Sequence, residues 1–227
     1  KYSNMDGTEL YVVTESVFSM DGDSPDLKSL VALCETYAAK LVIDEAHALG
    51  VHGEHGSGLL QELKIENGIF ARIITFGKAL GCHGAAVLGS QVLKDYLINF
   101  CRPFIYTTAL PPHTLATLIQ SYTVLKDSLE IKALRQNIDA FNSEKIHLGL
   151  EDQFIKSQSA IHCCIVPGND AVKDLALNLQ NQGFDVKPIL SPTVSQGRER
   201  LRFCLHSYNS EGEISEVLRL LATFAFS

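Results

Sequence analysis

The sequence predicts an α/β domain with a mainly parallel sheet, followed by a smaller α+β domain. Three observations carry that prediction. Short apolar runs rich in β-branched residues and closed by polar residues or glycine recur at Leu10–Thr14, Leu41–Ile43 and Arg72–Phe76, the pattern of strands buried on both faces. A stretch with apolar residues at helical spacing lies between the first two, so strand, helix and strand follow in the order of a right-handed βαβ unit. After about residue 124 the pattern changes to alternating strands and amphipathic helices. The division is therefore placed at 1–124 and 125–227.

Taken in order, Leu10–Thr14 is the first strand and Glu15–Ser19 the loop at its C-terminal end. Ser24-Pro25-Asp26 supplies an N-cap, a proline at the first helical position and an acid in the first turn. Leu27, Leu30, Val31, Cys34 and Ala38 then follow at helical spacing, so a helix to about Ala39 covers the sheet. Gly50–Leu59 is glycine-rich and polar, a loop holding His52, Glu54 and His55. Ala85–Gly89 returns as a strand, Val92–Phe100 is a short helix, and Arg102–Pro112 is irregular and closed by two prolines. Thr114 to about Asn142 is expected as one long helix joining the domains, through Leu115, Leu118, Ile119, Tyr122 and Leu125. Beyond it Ile161–Val166 is a strand, and Asn169 or Asp170 caps a helix that carries Val172, Leu175, Ala176 and Leu179 and ends at Gly183. Phe184–Leu190 and Arg200–His206 are strands. Ser210-Glu211-Gly212-Glu213 is a capping box that opens the last helix.

The net charge of −7 argues against a nucleic-acid or anionic-membrane binder, which needs a basic face to release counterions. The six cysteines have no CxxC spacing and sit in apolar stretches, which suits reduced, buried thiols of a cytoplasmic protein. No stretch is long and apolar enough to span a bilayer. The chain opens at Lys1 without a methionine and is expected to be the C-terminal part of a longer protein, whose first half supplies the remaining strands.

The chemistry concentrates between Leu41 and Gly81. The run Leu41-Val42-Ile43 ends in Asp44-Glu45-Ala46-His47, and Arg72–Phe76 stops at Gly77-Lys78-Ala79-Leu80-Gly81. Polar residues directly after buried parallel strands lie at the sheet edge where ligands of α/β proteins bind, so Asp44, His47 and Lys78 are expected to meet there. An aspartate at that edge can hold the protonated ring nitrogen of pyridoxal phosphate. A lysine from the neighbouring strand can form a Schiff base with its aldehyde, provided it is desolvated enough to be an amine.

Several strings, in order, strengthen this reading: Thr14-Glu15-Ser16-Val17-Phe18-Ser19-Met20-Asp21-Gly22-Asp23, Asp44-Glu45-Ala46-His47-Ala48-Leu49-Gly50, Thr75-Phe76-Gly77-Lys78, Tyr106-Thr107-Thr108-Ala109-Leu110-Pro111-Pro112 and Arg200-Leu201-Arg202. Together they resemble the α-oxoamine synthases, a branch of the fold-type I pyridoxal-phosphate enzymes that join an amino acid to an acyl-CoA with loss of carbon dioxide. The resemblance implies the C-terminal half of an aspartate aminotransferase-like large domain over 1–124 and the small C-terminal domain over 125–227. It gives Lys78 the Schiff base and the proton transfers at the substrate Cα, Asp44 the ring nitrogen, and His47 the phenolic oxygen of the cofactor. It places Ser19 at the ring and Thr75 on the phosphate. Thr107 or Thr108 would reach the phosphate of the partner subunit's cofactor in a homodimer. Arg202 would hold the substrate carboxylate, with Thr193 close to the substrate. The string Thr75–Lys78 followed by Gly84-Ala85-Ala86-Val87-Leu88 resembles the biotin-pathway branch, which implies L-alanine and pimeloyl-CoA; the glycine- and serine-using branches are the alternatives.

The residues alone leave other readings. Arg202 in an alternating strand is costly unless paired, and a carboxylate is its natural bidentate partner. Arg198 and Arg200 read as CoA-phosphate contacts or, in preference, as solvated charges, Glu45 as solvent-exposed, and Cys82 and His83 have no assigned role. A metal site of His47, His52 and His55 with Asp44 and Glu54 lacks helical HExxH spacing. Leu41–His47 also matches the Walker B string of a DEAH-type ATPase, with Asp44 on magnesium and Glu45 orienting water. A degenerate subunit that only supports a partner is disfavoured by the joint presence of Lys78, Asp44 and His47.

Overall fold

A computed structural model describes residues 8–226, with side chains to Ala225. The expectation attached to Lys1 lies outside the described residues. Two compact units divide the chain: the described residues to Val17 with Ser24–Ser128, and Phe18–Asp23 with the residues from Leu129 onward.

The first unit is built on a four-stranded sheet in the order β1-β2-β3-β4. Strands β1 (Tyr11–Glu15), β2 (Lys40–Asp44) and β3 (Ala71–Thr75) run parallel, and β4 (Ala85–Gly89) pairs antiparallel with β3. Helix α1 (Leu27–Thr36) connects β1 to β2 and buries Leu27, Val31 and Cys34, one per turn. Its cap is Asp26, whose carboxylate accepts from Ser29 N at 3.0 Å, rather than Ser24. Proline at 25 therefore precedes the cap, where the extended backbone that proline favours is already required.

Leu41 and Ile43 of β2 pack on α1 together with Val17, Ala48, Leu59 and Leu60. Fully burying each such side chain contributes roughly 1.5–3 kcal/mol. On a second side Ile74 of β3 joins Leu49, Phe76, Leu80 and Leu118. The connection from β2 to β3 contains 3-10 turns at Glu54–Gly56 and Glu66–Gly68 and, between them, a short helix, α2 (Leu59–Leu63). After β4 come α3 (Gln91–Phe100), capped by Ser90, a single helical turn α4 (Arg102–Ile105) inside the stretch expected to be irregular, and α5 (Pro112–Lys126).

The expected long helix is two. Helix α5 stops at Lys126 and α6 begins at Glu130 and runs to His147. The amides of Asp127 and Ser128 turn back onto the carbonyls of Val124 and Leu125. Aspartate and serine compete poorly for helix interiors, and the apolar spacing on either side conceals that break.

The second unit carries a three-stranded antiparallel sheet in the order β5-β7-β6, with β5 (Ile161–Ile165), β6 (Lys187–Ile189) and β7 (Arg200–Cys204). Helices α6, α7 (Asn169–Asn181) and α8 (Glu211–Phe226) accompany it. Phe141 of α6 meets Phe154 and Phe203 at ring separations of 5.7 Å, and His162 stacks on it at 4.5 Å. The cap of α7 is Gly168, not Asn169 or Asp170. Asn169 instead exchanges hydrogen bonds with Ser191, donating to its carbonyl and accepting from its amide. The capping box forms as expected: Ser210 N donates to Glu213 Oε2 at 2.8 Å and Glu213 N to Ser210 Oγ at 3.2 Å.

All six cysteines are unbridged. Cys34, Cys163 and Cys164 are buried, while Cys204 is exposed, unlike the buried thiol expected there. Among the described residues no helix is long and apolar enough to cross a membrane.

Candidate active site

Parallel register decides where the candidate side chains of the first unit stand. Glu15 pairs with Asp44, and Asp44 with Ile73. Neighbouring strands lie about 4.8 Å apart and rise about 3.3 Å per residue, so Thr75, two residues beyond Ile73, stands at the same C-terminal edge as Asp44. One Asp44 oxygen accepts from Ala46 N at 2.7 Å, and this turns the chain sharply into His47. His47 is half-buried.

Past Thr75 the chain doubles back: Cys82 N donates to Phe76 O at 2.7 Å and Gly81 N to Lys78 O at 3.0 Å. Lys78 rides on this turn with its side chain exposed, without the desolvation anticipated for it. The hydroxyl of Thr75 is buried and has no hydrogen-bond partner among the described residues. A buried hydroxyl in that state forfeits about 1–3 kcal/mol, and such groups in native folds usually await a ligand or water.

A close contact ties the two loops together. Gly50, at the end of the Asp44–Gly50 string, has φ +79°, and a Cβ there would run into the methyl of Ala79, the residue after Lys78. Leu49 and Leu80 lie in one buried cluster. The aspartate–histidine loop and the lysine loop are thus packed side by side, and glycine at 50 is what lets them approach.

Glu45 departs from expectation. It is fully buried, not solvent-exposed, and forms an ion pair with Arg72 of β3. Its carboxylate accepts from Leu60 N at 3.0 Å. Arg72 also donates to Ser57 O and, at 3.0 Å, to Gln61 Oε1. Burial pushes the Glu45 carboxyl up, and Arg72 and the amides of Leu60 and Leu59 pull it back. A glutamate held this way has no freedom to orient water, which removes the key role of the ATPase reading. The signal missed in the sequence was an arginine inside an apolar strand run, two positions before Ile74.

In the second unit Ser19 and Arg202 come together: Arg202 Nε donates to the Ser19 carbonyl at 3.2 Å and Nη1 to Cys204 Sγ at 2.9 Å. Arg200 is buried and paired with Asp21, contrary to the solvated charge expected. Thr193 is exposed in the turn after β6, and Thr107 and Thr108 are exposed between α4 and α5. His52 lies 3.6 Å from Glu62, and His55 Nδ1 lies 2.6 Å from the Lys126 carbonyl. Among the described residues no cluster of three or more histidine, cysteine or acidic side chains could hold a metal ion.

A mainly parallel sheet with an acid, a histidine and a lysine at one edge, in a chain that also carries an α+β unit, is the arrangement of a known class. Residues 1–221 match the aminotransferase class I and II family model, and the chain belongs to that family. The 8-amino-7-oxononanoate synthase of Emericella nidulans is 36% identical over 229 residues, covering 95% of this chain and 54% of that protein. Among solved structures, the 8-amino-7-oxononanoate synthase of Francisella tularensis aligns with a TM-score of 0.83 at 29% identity, over 97% of this chain and 64% of that one. A serine palmitoyltransferase with a pyridoxal-phosphate internal aldimine aligns with a TM-score of 0.85 at 27% identity, over 94% of this chain and 54% of that one. The chain spans about half the length of the curated relatives it matches.

Proposed function

We propose that the full protein is a pyridoxal-phosphate-dependent α-oxoamine synthase that condenses L-alanine with pimeloyl-CoA and releases carbon dioxide. One observation carries the reading: the buried, unpartnered hydroxyl of Thr75 ends the strand that leads into Lys78, and Asp44 ends the strand beside it. A phosphate monoester would supply the acceptor that hydroxyl lacks, so the residues present fit pyridoxal phosphate. The relatives named as 8-amino-7-oxononanoate synthases support the choice of branch.

When bound, pyridoxal phosphate supplies an electron sink for the carbanion at the amino acid's Cα. The chain's own side chains do the rest. Lys78 would hold the cofactor through its amine and would take and return the proton at the substrate Cα. Asp44 would hold the protonated ring nitrogen. His47 would donate to the phenolic oxygen and steady the oxyanion that develops on the thioester carbonyl oxygen. Ser19 would serve the ring, Thr75 would bind the phosphate, and Arg202 and Thr193 would serve the substrate, Arg202 at its carboxylate. In a cytoplasmic homodimer, Thr107 or Thr108 reaches the phosphate of the partner subunit's cofactor.

The full-length protein given L-alanine and pimeloyl-CoA should release free CoA and carbon dioxide. A preference for glycine or serine would move it to another branch of the family, and condensation with none of the three would refute the reading. His47→Ala should keep the cofactor absorbance and lose about a hundredfold or more in turnover. Normal turnover in that variant would remove His47 from the mechanism.

A further inference from the structure

The segment Phe18–Asp23 directly follows β1 and its loop in sequence, yet it belongs to the second unit. The residues that hold it there form a dense set. Arg200 of β7, buried, pairs with Asp21. The thiol of Cys163 in β5 donates to the Met20 carbonyl at 3.0 Å. The hydroxyls of Ser157 and Ser159 both donate to the Gly22 carbonyl, at 2.8 and 3.0 Å. Gly22 has φ +75°, and a Cβ there would run into the Ile161 carbonyl. Arg202 Nε donates to the Ser19 carbonyl.

Register explains why these residues share a face. Cys163 pairs with Arg202, Ile161 with Cys204 and Ile165 with Arg200, while His162, Cys164, Leu201 and Phe203 take the other side of the same two strands. One face of β5–β7 therefore packs against the aromatic core, and the other is dedicated to the six-residue segment. The only carboxylate the segment places on that face's buried guanidinium is Asp21, and a buried guanidinium without a partner is strongly unfavourable.

We infer that Asp21 and Arg200 are positioning residues, whose pairing fastens Phe18–Asp23 to β7 and so fixes the direction in which Arg202 presents its guanidinium. The inference rests on the reading of Arg202 as the substrate-carboxylate residue. Arg202 has its Nε committed to the Ser19 carbonyl and its Nη1 to Cys204, so the fork is aimed by the segment before any substrate arrives. Bidentate recognition depends on that aim. Release of the segment frees the Ser19 carbonyl, and Arg202 then loses its aim without losing its charge.

The test uses the full-length protein with its cofactor, and the variants Asp21→Asn, Asp21→Glu and Ser157→Ala. The first readout is the half-saturating L-alanine concentration, taken from the change in cofactor absorbance without acyl donor. The second is amide exchange at Met20–Gly22 in the cofactor-free protein. Asp21→Asn should raise half-saturation about tenfold and speed exchange, and Asp21→Glu should recover most of the loss. Ser157→Ala, which keeps both charges and removes one tether, should raise half-saturation about two- to threefold, and it decides the matter if Asp21→Asn does not fold. Faster exchange with half-saturation within twofold of the parent would leave the pair a mere fastener and overturn the inference. Failure of the proposed reaction would look different, since no amino acid would then alter the absorbance of the unsubstituted protein.

Discussion

Replacing Glu45 by alanine is the sharpest perturbation of the first unit. The carboxylate is fully buried, paired with an arginine and bonded to Leu60 N at 3.0 Å. Its removal strands the guanidinium of Arg72, whose side chain is 11% exposed, and breaking one half of a buried ion pair costs about 3–5 kcal/mol. The orphaned Leu60 amide adds about 1 kcal/mol or more. Glu45→Ala should therefore lower stability by about 4–6 kcal/mol, a large share of the total for an ordinary domain. Glu45→Leu with Arg72→Leu removes both charges and fills the space, and such replacements are often close to neutral. The double variant should thus recover more than half of the loss seen in Glu45→Ala. Urea denaturation of the full-length protein followed by circular dichroism measures all three stabilities. A loss below about 1 kcal/mol in Glu45→Ala, the range of exposed pairs, would refute the claim that this pair clamps β2 to β3.

Other outcomes follow from the same reasoning. Lys145 is buried against Phe141 and Phe154, and burial lowers its amine from 10.5 to about 8, a penalty of about 3 kcal/mol at neutral pH. Since the unfolded chain then binds more protons between pH 8 and 10.5, stability from this group rises with pH across that window. Lys145→Met should stabilise the protein at pH 7 by about 1–2 kcal/mol after loss of the ring contacts, and flatten that rise; a destabilised variant would contradict it. His162 is buried, and burial drops it to about 3. The folded state keeps it neutral while the unfolded state protonates below 6.5, so stability falls with acid and is about 2 kcal/mol lower at pH 5 from this group alone. In His162→Phe that part of the pH dependence should vanish, as read from chemical denaturation at pH 5 and 7, and an unchanged slope would count against it. Gly50→Ala should cost at least about 1 kcal/mol, because the residue sits at positive φ and faces Ala79; it should also weaken cofactor retention, and a neutral substitution would mean that the two loops do not depend on their contact.

Local grammar was the legible part of this chain. Strands ending in Asp44 and Thr75, the Ser210–Glu213 box and the apolar periodicity of α1 and α7 all come from interactions within a few residues, which is where sequence patterns carry information. The break between α5 and α6 was hidden because apolar spacing continues on both sides of Asp127–Ser128. Charges were misread for a different reason. Glu45 and Arg200 look like surface residues until their partners, Arg72 and Asp21, arrive from 27 and 179 positions away in the chain, and no local pattern announces such pairs. The membership of Phe18–Asp23 in the second unit is likewise a matter of long-range contacts. The placement of Asp44 and Thr75 at one sheet edge was legible because polar residues directly after buried parallel strands have few other places to stand.

The central claim is that Lys78 carries the cofactor. Borohydride reduction of the full-length protein, followed by proteolysis and mass mapping, tests it directly. The account predicts loss of the visible absorbance band and a single phosphopyridoxyl group on the peptide containing Lys78. A label on another lysine, or no label on a protein that nonetheless catalyses the condensation, would contradict it.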